Sequence, residues 1–519
     1  MPQLIKPVQL GSWLPIGLFG IFIFSVCIRF WGLGRFNTLV FDEVYYVKFA
    51  NNYLTQTPFF DGHPPLSKYL IAIGIWLGQR FPFGQMPTNE LAGSPLSPWS
   101  YRWFNALVGS FLPVLVAAIA HQISHRLSFT LIAGSFAALD GMLLVESRYG
   151  LNNVYLLLFG LLGQWFFLIT LGRRHHQWLW LTLSGISFGA AIAIKWNGLW
   201  FLLGTYGLWG VAWVIRWLLP PQLGSDRSMI REGYNQKTTL QSAQKVKPTP
   251  ISPFNRLTDL RPAAILIYLT ILPVTVYSLL WIPHLHLNPT PDFWKVQTDI
   301  YNYHQRVGGN DPKVHPYCSP WYTWPLMVRP VSYFYETGVS PQDEVPLTPK
   351  PSGGSVIFDV HSMGNPILWW SSTAAIGLLT LLTFHDLRRL ISTRWQKGVS
   401  ALQEQGYRLA VERFWVPAYL LLNYGINWLP WIRVSRCTFL YHHLGAAMFG
   451  TLAIAWLVDR WLQLEVTVLS PNYRPQLRSL GISISCLVIL AFAFWLPVYL
   501  GLPLSPLGFR LRMWFPSWV

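Results

Sequence analysis

Long apolar stretches recur along the whole chain, and this feature constrains the fold more than any other. A helix needs about 20 mostly apolar residues to cross the hydrocarbon core of a bilayer. Charged residues make up only 11% of the 519 residues, against about 25% in soluble domains. Stretches of roughly spanning length lie near residues 13–33, 101–120, 128–146, 151–171, 178–195, 198–217, 263–283, 366–384, 413–431, 438–458 and 479–500. The sequence therefore predicts an all-α integral membrane protein with about 11 transmembrane helices.

Two apolar runs need separate interpretation. The first, from Trp13 to Phe30, is too long for the core of a signal peptide and lacks a small-residue cleavage site, so we expect an uncleaved first span. The run at 66–80 is too short to cross a bilayer and is predicted to be an interfacial or re-entrant helix.

The basic residues indicate the orientation of the spans. With a cytoplasmic N-terminus, the inner loops are 121–127, 172–177, 218–262, 385–412 and 459–478, and the excess of Lys and Arg over Asp and Glu is larger there than outside. This is the distribution that the positive-inside rule requires. The net charge of +17 is thus explained by loops at a membrane surface, and nucleic acid is not an expected partner.

A single membrane domain with two halves is the simplest organisation. Residues 1–217 form an N-terminal catalytic half with a first outer loop at 34–100, and residues 263–519 form a C-terminal half with a second outer loop at 284–365. Residues 218–262 are predicted to be a mobile, basic cytoplasmic linker. Long ordered outer loops usually carry function.

Ionisable residues gather at the outer ends of the spans. They are Arg29, Asp42, Glu43, Arg102, Glu146, Arg148 and Lys195. Any one of them could be an interfacial residue or half of an ion pair, but charges near a bilayer are costly unless they pair or face a hydrated cavity. Carboxylates supply a general base or a metal ligand, and Arg and Lys bind phosphate. We expect an outward-facing polar cavity that binds an anion, whereas Asp140 lies deeper and is expected to be paired structurally.

The four cysteines give no clear signal. Cys27, Cys318, Cys437 and Cys486 are scattered and form no CxxC pair. We expect no disulfide framework from this spacing, and the sequence leaves the redox compartment open.

Several local strings occur in a characteristic order. They are FDEV at 41–44, DGHPPLSK at 61–68, YRWFNALVGS at 101–110, SRY at 147–149, GISFGAAIAIKW at 185–196, HPY at 315–317, SPWYTWPL at 319–326, GNPILWW at 364–370 and FLYH at 439–442. Together they resemble the protein O-mannosyltransferases, a dolichyl- or polyprenyl-phosphate-mannose-dependent family of the GT-C superfamily. The resemblance covers nearly the whole chain and implies a GT-C fold.

The resemblance implies roles for the charged layer. Asp42 would be the catalytic base that acts on a Ser or Thr hydroxyl, and Glu43 would orient the site or bind the acceptor. Arg29, Arg102 and Arg148 would bind the donor phosphate or brace the acidic loop.

Further residues are candidates for substrate contact. His63 and Lys68 belong to the first outer loop, His304 and His315 to the second, and Lys195 to the charged layer. Three departures from the family pattern are Ser67 in place of Gly, Asn153 where Asp is frequent, and Gly445 in place of Pro.

The implied reaction is inverting transfer of mannose from polyprenyl-phosphate-mannose to Ser/Thr residues of secreted or membrane proteins. The second outer loop is too short for the β-trefoil domain of eukaryotic members, which favours a bacterial-type enzyme of the plasma membrane with its site on the periplasmic or extracellular face. No cofactor is expected, although a carboxylate pair could hold a divalent metal.

Three alternatives stay open at this point. Another GT-C transferase could move a different lipid-linked sugar onto a lipid or glycan, because fold and site geometry do not name the sugar. A transporter would place ionisable groups near the membrane midplane. A catalytically inactive relative could act as a scaffold, although Asp42 and Glu43 are intact.

Overall fold

The computed structural model describes residues 13–80, 87–172, 176–218, 252–309, 314–347, 354–394, 401–463 and 474–519. The predicted linker at 218–262 falls largely outside these residues. The helices, numbered in chain order, are α1 Trp13–Phe30, α2 Glu43–Leu54, α3 Leu66–Gly78, α4 Pro98–Ser124, α5 Leu127–Ala138, α6 Gly141–Arg148, α7 Asn153–Gly172, α8 Gln177–Ile192, α9 Leu199–Leu218, α10 Pro253–Thr258, α11 Pro262–Leu287, α12 Phe293–Arg306, α13 Pro366–Arg394, α14 Ala401–Trp428, α15 Leu444–Leu462, α16 Arg474–Leu500 and α17 Pro506–Arg510.

Every apolar stretch singled out in the sequence contains helix, which confirms the all-α prediction. Within the described residues, eight helices are long and apolar enough to cross a membrane, or nine if the bent pair α5 and α6 counts as one span. The number of eleven spans stays a prediction. The short run at 66–80 is helical, as α3.

The centre of the bundle is formed by the most deeply buried helices. α4, α7 and α15 are enclosed by their neighbours, whereas α1 and α11 leave most of their apolar surface on the outside of the protein. Such outward apolar faces are expected where lipid replaces water.

The span made of α5 and α6 is broken, and the break positions the site. The two helices meet at 58° around Asp140. The Asp140 carboxylate accepts from the backbone N–H of Leu143 at 2.7 Å and from the indole N–H of Trp369 at 2.6 Å. This cap satisfies the start of α6 inside the bundle. Asp140 is therefore structurally paired, as expected, and α6 carries Glu146 and Arg148 toward the first outer loop.

In the residues that the structure describes, the two predicted outer loops contain helices and strands. The first contains α2 and α3; the second contains α12 and an antiparallel hairpin of β1 Val331–Gly338 and β2 Val356–Ser362. Val331 pairs with Ser362 and Gly338 with Val356, with a register shift between Ser332 and Phe334.

The expectation of no disulfide is wrong. Cys318 and Cys437 are bonded across 119 residues of sequence, with a Cα–Cα distance of 5.2 Å. The pairing joins the second outer loop to the segment before α15, and a backbone hydrogen bond from the Ser319 N–H to the Thr438 carbonyl lies beside it. The spacing of cysteines along the sequence does not predict a contact between residues so far apart. Cys27 and Cys486 are free cysteines.

Candidate active site

A cavity of about 240 Å³ lies between the first outer loop, α12 and the segment before α15. Its wall carries Lys195, Arg433 and Arg436, the imidazoles of His63 and His304, and several indole rings. Among the residues that the structure describes, no Asp or Glu belongs to this lining. Cationic groups beside aromatic faces suit an anionic ligand that also carries a sugar or an apolar chain.

Asp42 opens α2 and keeps its carboxylate available. The side chain does not cap the helix and is partly exposed. Burial raises the pKa of Asp42 to about 6, with Lys195 opposing this rise and Asp61 adding to it. Asp42 is not itself part of the cavity lining, but it interacts electrostatically with Lys195, which is. A carboxylate with a pKa near neutrality and no fixed partner is suited to general-base chemistry.

The residue before Asp42 adopts an unusual backbone conformation. Phe41 has a φ of 53°, in the left-handed region that side chains other than Gly seldom occupy. Its ring stacks on Tyr333 at a centroid distance of 4.1 Å and meets the ring of Tyr441 edge-on at 6.0 Å. Surrounding contacts therefore hold this conformation in place, as is common where a functional group must be aimed.

The carboxylate of Glu43, by contrast, accepts four hydrogen bonds. Arg102 donates to its two carboxylate oxygens at 2.9 and 2.7 Å, and the backbone N–H groups of Val40 and Gly150 donate at 2.8 Å each. Both side chains of the ion pair are excluded from solvent. Glu43 is therefore placed to orient the loop, and the acceptor-binding alternative is not supported.

Arg102 is saturated as well. Its remaining N–H groups donate to the carbonyls of Leu33, Phe36 and Thr38 at 2.7–3.2 Å, so that all five are used. Of the two roles expected for Arg102, the structure supports bracing, and it leaves no N–H for a donor phosphate.

Arg29 and Arg148 lie in the packed interior beside the end of α1. Arg148 donates to the carbonyls of Ile28, Arg29 and Trp31 at 2.7–3.0 Å, which satisfies the free carbonyl groups of the helix end. Arg29 donates to the Ser147 hydroxyl at 2.9 Å. Neither arginine lines the cavity, and their contacts hold the end of α1, so both roles expected for them stay predictions.

Lys68 clamps the loop of the HPP string. Its ammonium pairs with Asp61 at 2.5 Å and donates to the carbonyls of His63 and Pro64 at 2.9 and 2.6 Å. These contacts use the three N–H groups of a lysine, so in this structure Lys68 holds the loop, and its contact with a substrate stays a prediction.

The histidines separate into two groups. His63 and His304 line the cavity with their ring centroids 5.2 Å apart, whereas His315 packs against Phe439 away from it. Burial lowers the pKa of His304 to about 4 and that of His63 well below its usual value, so both rings are neutral at pH 7. Both remain candidates for substrate contact, and His315 does not reach the cavity.

Lys195 is held in the cavity wall. Its ammonium donates to the Asn153 side-chain carbonyl at 2.8 Å and lies 5.4 Å from the centre of the Tyr441 ring. The Asn153 amide in turn donates to Glu146 at 3.0 Å. Asn153, one of the three departures from the family pattern, thus links the Lys195 ammonium to the Glu146 carboxylate.

The sequence reasoning missed Arg436 and the residues around it. Arg436 precedes the disulfide cysteine Cys437, whose N–H donates to the Gly308 carbonyl at 2.6 Å. Arg433 and Trp431 come from the same segment. The nearby FLYH string at 439–442 was the available signal, since it marked this part of the chain as functional.

Known proteins resemble the chain over most of its length. Residues 20–287 match the sequence model of the family described as dolichyl-phosphate-mannose-protein mannosyltransferase, and residues 289–518 match the C-terminal four-transmembrane region of protein O-mannosyltransferase. Polyprenol-phosphate-mannose–protein mannosyltransferases of Mycolicibacterium smegmatis and Mycobacterium tuberculosis are 27% and 24% identical to the chain. The alignments cover 94% and 98% of the chain and 90% and 92% of those proteins.

A solved structure shares the fold. The S. cerevisiae protein O-mannosyltransferase Pmt1–Pmt2 complex bound to the sugar donor aligns with a TM-score of 0.69 at 16% identity, covering 99% of this chain and 93% of that one. This likeness confirms the all-α GT-C fold and the multi-span membrane character expected from the sequence.

Proposed function

Because the chain belongs to the dolichyl-phosphate-mannose–protein mannosyltransferase family and is thus a glycosyltransferase, we propose that it moves mannose from polyprenyl-phosphate-mannose to Ser/Thr hydroxyls of exported proteins. The proposal includes inversion at the sugar carbon and a site on the outer face of the plasma membrane. The observation that carries it is the contrast between two adjacent carboxylates: Glu43 is locked by four hydrogen bonds, and Asp42 is free to accept a proton.

The proposed chemistry is a single displacement. Asp42 takes the proton of the acceptor hydroxyl as its oxygen attacks C1 of the mannose. The bond between C1 and the phosphate oxygen breaks, and its electron pair leaves with the polyprenyl phosphate. Arg436 and Lys195 in the cavity wall stabilise the negative charge that develops there. Attack opposite the leaving group inverts the configuration at C1.

The assignment of the outer face has two supports. The basic excess lies in the loops on the opposite side. The Cys318–Cys437 disulfide adjoins the cavity segment, and disulfides persist in compartments outside the cytosol.

The test is transfer of labelled mannose from polyprenyl-phosphate-mannose to a Ser/Thr peptide by wild type and Asp42→Asn. We expect a loss of about 10²- to 10⁴-fold in the variant, the range for removal of a general base. An exposed-carboxylate variant, Glu344→Gln, serves as the control.

Two further readouts complete the test. NMR of the product establishes the anomeric configuration, and a chelator added to the same assay decides whether a divalent metal takes part. Equal transfer by wild type and Asp42→Asn would remove the assigned base. Failure with mannose, together with transfer of another lipid-linked sugar, would favour the alternative GT-C transferase.

A further inference from the structure

Glu146 is a buried carboxylate that the mechanism above does not use. It lies in α6, near the end of the broken span, and is fully excluded from solvent. One carboxylate oxygen accepts from the Asn153 amide at 3.0 Å, and the other accepts from the Tyr333 hydroxyl. A buried carboxylate is costly, so its presence calls for compensation by the groups around it.

The first connection runs to Lys195. Asn153 donates its N–H to Glu146 and accepts the Lys195 ammonium on its carbonyl oxygen at 2.8 Å, so the amide is oriented between an anion and a cation. Lys195 interacts electrostatically with Glu146 and with Asp42. Glu146 thereby compensates the charge of the buried ammonium that acts on the proposed base.

The second connection runs to the backbone beside Asp42. Tyr333, which donates to Glu146, stacks its ring on Phe41 with the planes 6° apart. Phe41 holds the left-handed backbone conformation that leads into Asp42. Glu146 is therefore linked through Asn153 of α7 to Lys195, the cation that acts on Asp42. It is also linked through Tyr333 of β1 to Phe41, the residue before Asp42.

We propose that Glu146 is a positioning residue for mannose transfer, which fixes Lys195 through Asn153 and the Phe41–Asp42 backbone through Tyr333. This inference rests on the proposed role of Asp42 as base. Glu146 itself is not among the described residues that line the cavity. A carboxylate that only stabilised the fold would leave the catalytic parameters of folded enzyme unchanged.

The experiment removes the carboxylate from position 146 and, in a double variant, places one at position 153. In Glu146→Gln we expect kcat to fall about 10- to 100-fold, the scale of a misplacement of one ångström, with the KM for polyprenyl-phosphate-mannose little changed. Asn153→Asp alone crowds a second carboxylate against Glu146 and should also lose activity. The double variant Glu146→Gln/Asn153→Asp puts one carboxylate directly beside Lys195 and should recover kcat to within about threefold of wild type.

Tyr333→Phe removes the hydrogen bond between Tyr333 and Glu146 and leaves the link from Glu146 through Asn153 to Lys195 in place. Its loss of kcat should therefore be smaller than that of Glu146→Gln. Unchanged kcat in Glu146→Gln would overturn the proposal. A double variant that folds, by its thermal unfolding, yet is no more active than the worse single variant would also overturn it. If Asp42→Asn retains full transfer, the base assignment fails; if it loses transfer while Glu146→Gln does not, only the present inference fails.

Discussion

Arg102 donates to both carboxylate oxygens of Glu43, at 2.9 and 2.7 Å, inside a part of the protein that excludes solvent from both side chains. This pair fixes the loop that carries Asp42, since the same guanidinium also binds the carbonyls of Leu33, Phe36 and Thr38. Arg102 is a charged residue of a family motif, yet its contact is with Glu43 and not with a substrate. It therefore affects the proposed base, Asp42, through the neighbouring carboxylate.

The first prediction concerns the stability of this pair. Arg102→Gln leaves Glu43 as a buried carboxylate without its cation, and we expect a loss of about 3–5 kcal/mol in the free energy of unfolding. Thermal unfolding of the purified protein in detergent measures it, with the exposed Arg306→Gln as the matched control. An unchanged free energy of unfolding together with a raised KM for the donor would instead indicate that Arg102 binds the donor.

The second prediction concerns pH. The pKa of Asp42 is raised to about 6, chiefly by burial. A base acts only when unprotonated, so kcat/KM should fall about tenfold per unit below this pH. Above it, kcat/KM should be constant up to the pKa of Lys195, which burial lowers to about 8. Because His63 and His304 have lowered pKa values, they should add no step between pH 6 and 8. A flat profile down to pH 5, measured with saturating acceptor peptide, would contradict the assignment.

Arg436 provides the third prediction. If it binds the donor phosphate, Arg436→Gln removes a charge-assisted hydrogen bond, and the KM for polyprenyl-phosphate-mannose should rise about 10- to 100-fold. Arg306→Gln, on an exposed turn of α12, should leave that KM unchanged. Transfer assays at varied donor concentration distinguish the two. A normal KM in the Arg436 variant would place the phosphate elsewhere.

The fourth prediction concerns the disulfide. In a variant that lacks Cys27 and Cys486, no thiol should react with a maleimide reagent until a reductant is added, after which two should react. Opening this bond frees a loop of 119 residues, which the chain-entropy account values at about 5 kcal/mol. Cys318→Ser/Cys437→Ser should therefore unfold at lower temperature and bind the donor less tightly, because Arg436 loses its anchor. Thiols that react fully before reduction would exclude the bond.

The sequence by itself determined the class of protein and predicted which residue acts as its base. Long apolar stretches can be stabilised only as buried or lipid-facing helices, and the FDEV string named Asp42 without any structure. Local patterns carry this information because hydropathy and short motifs are properties of neighbouring residues. The helical nature of 66–80 followed from the same reasoning and is confirmed by α3.

Only the tertiary structure decided what each charge is bonded to. Asp42 and Glu43 are adjacent in sequence, yet Glu43 is locked because Arg102 and Gly150 arrive from distant helices and turns. Lys68 and Arg102 resemble substrate ligands until the backbone carbonyls that occupy their N–H groups are located. Arg436 enters the cavity because the Cys318–Cys437 bond joins segments 119 residues apart. Hydrogen-bond saturation depends on such long-range approaches, and no local pattern records them.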